Sequence, residues 1–362
     1  VRVIEALDLA PNWFVRGYRD AYLTAIAKVP RLAGWLYDLS DRPSTGKRAA
    51  GRVEHYALRR FASDPLLLEA DLVVTTHFLC ARVLSDLRLS STPPLLRAPL
   101  AVCVTDQHPH GIWLVPGADR TLVASEPARQ TAIDAGMPAE RVVATGIPID
   151  PAFGSFSDKI AARQEMGLPR DKPLILVCGG GLGLGGIEPA VQSLLSQSLD
   201  AHVVVVCGKN DELRGRLTRL EGGDANGRPS LSVLGFTTRM AELMGAADVM
   251  IGKPGGLTTA EAAASGLAMV LLEPLPGQEE RNATNLVGHG AAILQNDPSA
   301  AGLAAAELIR NPEALAKMRG ATRLVGCAQS AANAAKAVLE LLGVAANGRI
   351  AGTHSAAQEA AA

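Results

Sequence analysis

The sequence predicts an α/β protein made of two doubly wound, Rossmann-like domains that face each other across a cleft. Three observations carry this. The chain has 362 residues, and at ~150 residues per domain that length suggests two cores. Short apolar runs alternate with helical segments along most of it, as in parallel sheets with crossover helices. Hydrophobic residues make up 48% and charged ones 20%, which excludes a chain disordered throughout.

In the first half, strands are expected at 71–77 (DLVVTTH), 100–106 (LAVCVTD), 120–125 (RTLVAS) and 141–146 (RVVATG). The Pro-rich stretch 147–153 (IPIDPAF) then reads as a linker, separating a first domain, 1–150, from a second, 151–345. Six buried strands follow, at 173–178, 202–207, 230–235, 247–252, 268–273 and 291–294. Residues 327–346 are Ala-rich and should close the second domain as a helix, and 346–362 should be a disordered tail.

Lys and Arg number 35 against 36 Asp and Glu, so no strong net charge points to nucleic acid. The five cysteines are odd in number, without a CxxC pair. They read as reduced core residues of a cytoplasmic protein. No apolar run reaches the ~18 residues of a membrane span, and no leader is apparent.

In doubly wound sheets ligands bind beyond the carboxyl ends of the strands, so the loops there should carry the chemistry. The first, GGGLGLGG (179–186), follows a strand and opens a helix. Its backbone can approach a phosphate closely. Gly181, Gly183 and Gly186 satisfy the dinucleotide spacing, but the next strand ends in Lys209 and Asn210 rather than an acid. A purely structural turn stays open.

The second loop, GKPGGLTTAEA (252–262), turns through Gly255 and Gly256 into a helix with Thr258 and Thr259 in its first turn. Amides and hydroxyls at a helix start suit a diphosphate, and Lys253 adds a cation. Glu261, one turn in, suits two ribose hydroxyls, although a plain capped helix fits these residues equally well. In the third, EPLPGQEERNA (273–283), Gln278 and Glu279 sit at a helix start with Asn282 a turn further on, a pattern for sugar hydroxyls or for a cap. The chain has no DxD pair, HExxH or P-loop, so no metal is expected. A leaving diphosphate would rely on amides, a helix dipole and lysine.

In this order and spacing, with VTDQHPHGIW (104–113), ATGIPIDPAF (144–153) and LGFTTRMAELMGAAD (234–248), these motifs resemble glycosyltransferase family 28, of GT-B architecture. They are most similar to its diacylglycerol sugar transferases, monogalactosyldiacylglycerol synthase and the processive diacylglycerol glucosyltransferases. The resemblance implies an inverting hexosyltransferase that moves glucose or galactose from a UDP-sugar to diacylglycerol, without cofactor. It places Lys209 and Asn210 near the phosphates or sugar, Phe236 and Met240 near the uracil and Glu261 at the ribose. Gln278 and Glu279 fall on the donor sugar, and the acceptor in the first domain. Asp106 and His110 match the family pattern and are the expected catalytic pair; His108 does not match. The family's first strand and its GGGH loop have no counterpart here. VRVIEALDLAP is expected to be the strand after it, and truncation and genuine loss both stay open.

Residues 11–61 hold eight of the thirteen aromatics, with ten Lys/Arg and four Asp/Glu. Aromatic and cationic side chains interleaved in this way suit an anionic bilayer surface. The expected membrane and acceptor residues are Trp13, Phe14, Arg16, Tyr18, Arg19, Tyr22 and Trp35, with Trp113. This places the protein peripherally on the inner face of the cell membrane. Two alternatives are an N-acetylglucosaminyltransferase of peptidoglycan type and a non-catalytic UDP-sugar-binding regulator.

Overall fold

The computed structural model describes residues 1–18, 41, 49–90, 94–155, 158–180, 183, 185–221 and 229–343. Each of the ten apolar runs forms a strand, and the strands divide into two parallel sheets. Gly181, Arg19, Tyr22, Trp35 and the expected tail, 346–362, lie outside the described residues.

The first domain includes helices α1 (Ala49–Ala57), α2 (Arg59–Ala62) and α3 (Pro65–Leu68). Then come β1 (Val73–Thr75), α4 (Phe78–Leu89), β2 (Leu100–Cys103), β3 (Arg120–Val123), α5 (Glu126–Asp134) and β4 (Val142–Ala144). The strands lie side by side in chain order. His77 starts α4 by accepting the Leu79 N–H at 3.2 Å, and the helix buries Leu79, Val83 and Leu84 under the sheet. No strand forms at residues 1–11. The Asp8 N–H turns back to the Glu5 carbonyl at 3.0 Å, and Pro11 opens a helical stretch, 12–18.

The second domain runs through α6 (Lys159–Glu165), β5 (Leu174–Cys178), α7 (Ile187–Leu195), β6 (His202–Val206), α8 (Asp211–Thr218) and β7 (Ser230–Leu234). It continues with α9 (Met240–Ala246), β8 (Val249–Gly252), α10 (Gly256–Ala264), β9 (Ala268–Leu271), α11 (Gln278–Gly288) and β10 (Ala292–Leu294). Helices α12 (Pro298–Arg310), α13 (Pro312–Val325) and α14 (Ser330–Leu339) end it. The strand order is β10-β9-β8-β5-β6-β7, so successive connections leave β5 in one direction and return at β8 in the other. Central β5 is in register with both neighbours, Leu176 opposite Val204 and Met250. Its LILVC residues are buried on both faces, which is why the run is apolar without alternation. Cys178 and Cys103 are buried here and in β2, and burial pushes their thiols up to about 12 and about 11. All five cysteines are free.

The last helix departs from the sequence reading. Chain position assigns α14 to the second domain, yet Ala334, Ala337 and Val338 pack on Ala101, Cys103 and Leu122 of the first sheet. The two chain crossings run side by side. Ser330 Oγ accepts the Ile149 N–H at 3.3 Å, and a Cβ on Gly146 (φ +84) would lie 2.7 Å from that of Ser330. No helix among the described residues is long and apolar enough to cross a membrane.

Candidate active site

Reversal of strand order at β5/β8 opens a crevice beyond their carboxyl ends, and the first two glycine loops both leave from there. Gly183 (φ +59) sits so close to the next loop that a Cβ would be 2.1 Å from the Cys207 carbonyl oxygen. Asn210 ties the two loops together. Its Nδ2 donates to the Gly183 carbonyl at 3.2 Å, while its Oδ1 caps α8 through the Leu213 N–H at 2.9 Å. Gly185 (φ +91) rests on the Lys253 stem, leaving 2.3 Å between a built Cβ and Cε. Lys253 therefore lies against both loops, its Nζ 4.0 Å from Glu279 Oε2. Glu279 also accepts the Leu275 N–H at 2.7 Å.

Helix α10 begins beneath these turns with Gly255 as its cap, so no side chain satisfies its first amides. Two neighbouring threonines diverge here. Thr259 is fully buried and its hydroxyl donates back to the Gly255 carbonyl at 2.8 Å. Thr258 is half-buried and its hydroxyl has no partner among the described residues. The Glu261 carboxyl is likewise half-buried and unpartnered. Burial, reinforced by the negative Asp150, pushes it up to about 7. At the next two strand ends, Lys209 Nζ lies 5.8 Å from the Phe236 ring centre, and Phe236 is 63% exposed. Met240 opens α9 and packs partly on the core.

The opposite wall is the loop after β2. Asp106 is 3% exposed, and its Oδ2 accepts from Trp113 Nε1 at 3.1 Å. Its Oδ1 accepts from Gln278 Nε2, across the cleft. Burial raises the Asp106 carboxyl in spite of both bonds. His110 is fully buried; its Nδ1 accepts the Ile112 N–H at 3.1 Å, leaving Nε2 3.7 Å from Asp41 Oδ1. His108 is half-buried, and burial followed by the nearby Arg281 disfavours its protonation.

Helix α11 joins the walls. Besides Gln278, Arg281 Nη1 reaches Asp41 Oδ2 at 2.5 Å, and Asn282 Oδ1 accepts the Gln107 N–H at 3.0 Å. Burial would raise the Asp41 carboxyl, but the Gly111 N–H and Arg281 hold it below its usual range. The backbones of the two domains also approach closely at Gly256, where a Cβ would stand 2.2 Å from the Thr105 carbonyl oxygen. That contact requires glycine. Asp41, Arg281 and Asp150 were not singled out in the sequence. Only Arg281 carried a signal, sharing a helix face with Gln278 at i+3.

The expected membrane residues separate. Trp13, 55% exposed, and Arg16 are on the surface, as is Tyr56. Phe14 is instead buried in the first core, with Tyr18 stacked on it at 5.7 Å and partly buried, and Trp113 is buried against Asp106. A large ring beside arginines fills a core as readily as it faces lipid.

Known proteins place this arrangement. Residues 3–149 match the family model described as monogalactosyldiacylglycerol (MGDG) synthase, and 174–338 match the glycosyltransferase family 28 C-terminal domain. A processive diacylglycerol β-glucosyltransferase of Staphylococcus saprophyticus is 35% identical over 62% of this chain and 56% of its own length. One of Bacillus mycoides is 30% identical over 77% of this chain and 70% of its own. The match spans 56% to 63% of the first three such relatives. Among solved structures, Acinetobacter baumannii MurG superposes with a TM-score of 0.58 at 21% identity, over 81% of this chain and 80% of that one. Staphylococcus aureus MnaA with UDP gives 0.59 at 16%, over 82% and 83%. At such identities the structural likeness speaks for the GT-B fold alone. The two family models and the relatives' identity together settle the kinship: the chain belongs to glycosyltransferase family 28, with a first domain of the monogalactosyldiacylglycerol synthase type.

Proposed function

We propose that this protein transfers a hexose from UDP-glucose or UDP-galactose to diacylglycerol at a membrane surface, with inversion and without a metal. One observation carries the reading: the Glu261 carboxyl and Thr258 hydroxyl at the open start of α10, beneath two glycine turns, have no partner among the described residues. Half-buried polar groups left without protein partners are costly, and a ligand that pairs them removes the cost. A nucleotide diphosphate fits. Its phosphates meet the free amides, the positive helix end and Lys253, and its ribose hydroxyls donate to Glu261. Phe236 and Met240 would flank the uracil, Lys209 the phosphates or sugar, and Glu279 the sugar. The curated relatives' names supply diacylglycerol as acceptor.

The acceptor oxygen attacks the anomeric carbon from the face opposite the diphosphate. One C–O bond forms, the bond to phosphate oxygen breaks, and UDP leaves with the bonding pair. The acceptor proton goes to Asp106, whose burial makes it a stronger base than a solvated carboxylate. For this, Gln278 must turn from Asp106 to a donor-sugar hydroxyl, so donor arrival uncovers the base. His110 sits behind that loop and holds Ile112. Exposed Trp13, Tyr56 and Arg16 would rest on the lipid surface.

Calorimetric titration without metal, using UDP, UDP-glucose, UDP-galactose and UDP-N-acetylglucosamine, tests the donor half. Binding of UDP with preference for one hexose is expected, followed by transfer to diacylglycerol in vesicles. Folded protein that binds none of the four overturns the reading, and preference for the N-acetyl sugar redirects it to a different acceptor class.

A further inference from the structure

Asn282 begins as a candidate sugar ligand, because a polar side chain one turn into a helix that opens on the cleft suits that role. The structure puts it elsewhere. Its side chain is fully buried, and both ends are engaged by backbone from different domains. Oδ1 accepts the Gln107 N–H at 3.0 Å, from the residue next to Asp106. Nδ2 donates to the Pro254 carbonyl at 3.0 Å, in the loop that precedes α10. We propose that Asn282 is a positioning residue: it fixes the spacing between the loop that receives the diphosphate and the loop that carries the base. Its catalytic consequence rests on the reading above, while the bridge itself does not.

The chemistry favours asparagine at this point. The bridge needs one acceptor and one donor about a side-chain amide apart, both hidden from water, and an asparagine amide offers both without charge. Two other side chains of the same helix work in the same sense, since Gln278 and Arg281 reach Asp106 and Asp41 of the first domain. Those two contacts are only partly buried and each joins side chains that can rotate away. Asn282 grips main chain on both sides, so it sets a distance rather than a preference for closure. The contact of Gly256 with Thr105 adds a steric stop to the same spacing.

The test compares wild type, Asn282→Ala and the near-isosteric Asn282→Asp in the full chain. Three readouts are taken: affinity for UDP and for UDP-glucose, amide exchange across residues 105–110, and transfer kinetics. For Asn282→Ala, both affinities should stay within about threefold of wild type, and exchange at Gln107 should speed by about tenfold or more. Turnover should fall about a hundredfold with little change in donor KM, since a misplaced base costs rate and not binding. Asn282→Asp keeps the acceptor for Gln107 but sets oxygen against the Pro254 carbonyl, so it should weaken turnover while protecting Gln107 better than alanine does. A selective loss of UDP-glucose affinity, with UDP binding unchanged, would make Asn282 a sugar ligand and overturn the proposal. Unchanged exchange at 105–110 would overturn it too. Failure of wild type to bind UDP would sink the donor reading instead, leaving the bridge to be judged on exchange.

Discussion

Helices α10 and α11 start side by side at the same sheet edge, each after a glycine turn and each with polar residues in its first turns, yet they end in opposite states. At α10 the Thr258 hydroxyl and the Glu261 carboxyl have no partner among the described residues. At α11 Gln278, Glu279, Arg281 and Asn282 are all engaged, three of them across the cleft. Matching sequence signals thus hide a division of labour. One helix start keeps its polar groups for a ligand, and the other uses them to hold the two domains together. Unmet hydrogen-bonding capacity in a half-buried place is what distinguishes the first.

The largest effect that would sharpen the contrast is expected at Asp106, which α11 covers through Gln278. Asp106→Asn keeps a carbonyl oxygen for one of its two donors but cannot accept a proton. Turnover should fall about a thousandfold, with UDP-glucose affinity unchanged, as loss of a general base predicts. Steady-state transfer assays beside calorimetry decide it. An equal loss of donor affinity would move Asp106 to the donor site and break the comparison.

Glu261 on α10 should behave in the opposite way, losing binding and gaining stability. Its carboxyl titrates at about 7 when folded and near 4.3 when unfolded. Between those values the folded state holds the extra proton. Stability is therefore lost as pH rises from about 4.3 through about 7, and is level above. Allowing for solvent screening, the loss is about 1–2 kcal/mol. Glu261→Gln removes it, so chemical denaturation should find the variant more stable than wild type at pH 8 and similar at pH 4. Wild-type affinity for UDP-glucose should rise as pH climbs through about 7, because the ionised carboxyl accepts both ribose hydroxyls. In the variant the pH dependence should vanish and affinity drop about ten- to a hundredfold at pH 8. Stability and affinity falling together would mean that Glu261 is structural.

How much of this was legible beforehand follows from the same physics. All ten strands were readable as short apolar runs, most plainly the central ones, because strands buried on both faces must be apolar throughout, as LAVC and LILVC are. Both loops at the β5/β8 crevice were readable, since glycine is needed where a Cβ would meet the Cys207 or Thr105 carbonyl. Partner identity was not. Asn282 bears the same side chain whether it meets a sugar or a backbone, and only the fold brings Gln107 to it. Ala334, Ala337 and Val338 of α14 likewise carry no mark of which sheet they cover. Phe14 among arginines read as lipid-facing because burial depends on what lies above it. Asp41 stands in no periodic segment and gave no sign of its link to Arg281.

The smallest expected effects are also the most discriminating, because they come from adjacent residues of one type on α10. Thr258→Val removes a hydroxyl without a hydrogen-bond partner among the described residues, so thermal stability should stay within about 0.5 kcal/mol of wild type. If that hydroxyl serves the diphosphate, UDP affinity should fall about three- to tenfold, the worth of one hydrogen bond to a charged group. Thr259→Val removes one that is bonded to the Gly255 carbonyl at 2.8 Å in the interior. It should cost about 1 kcal/mol of stability, and UDP affinity should hardly move. Denaturation and calorimetry on the two variants therefore ought to give crossed results. Valine preserves shape in both, so packing cannot explain the crossing. Parallel results would place the two hydroxyls in one role, and the open start of α10 would then be an ordinary helix end rather than a place kept for a ligand.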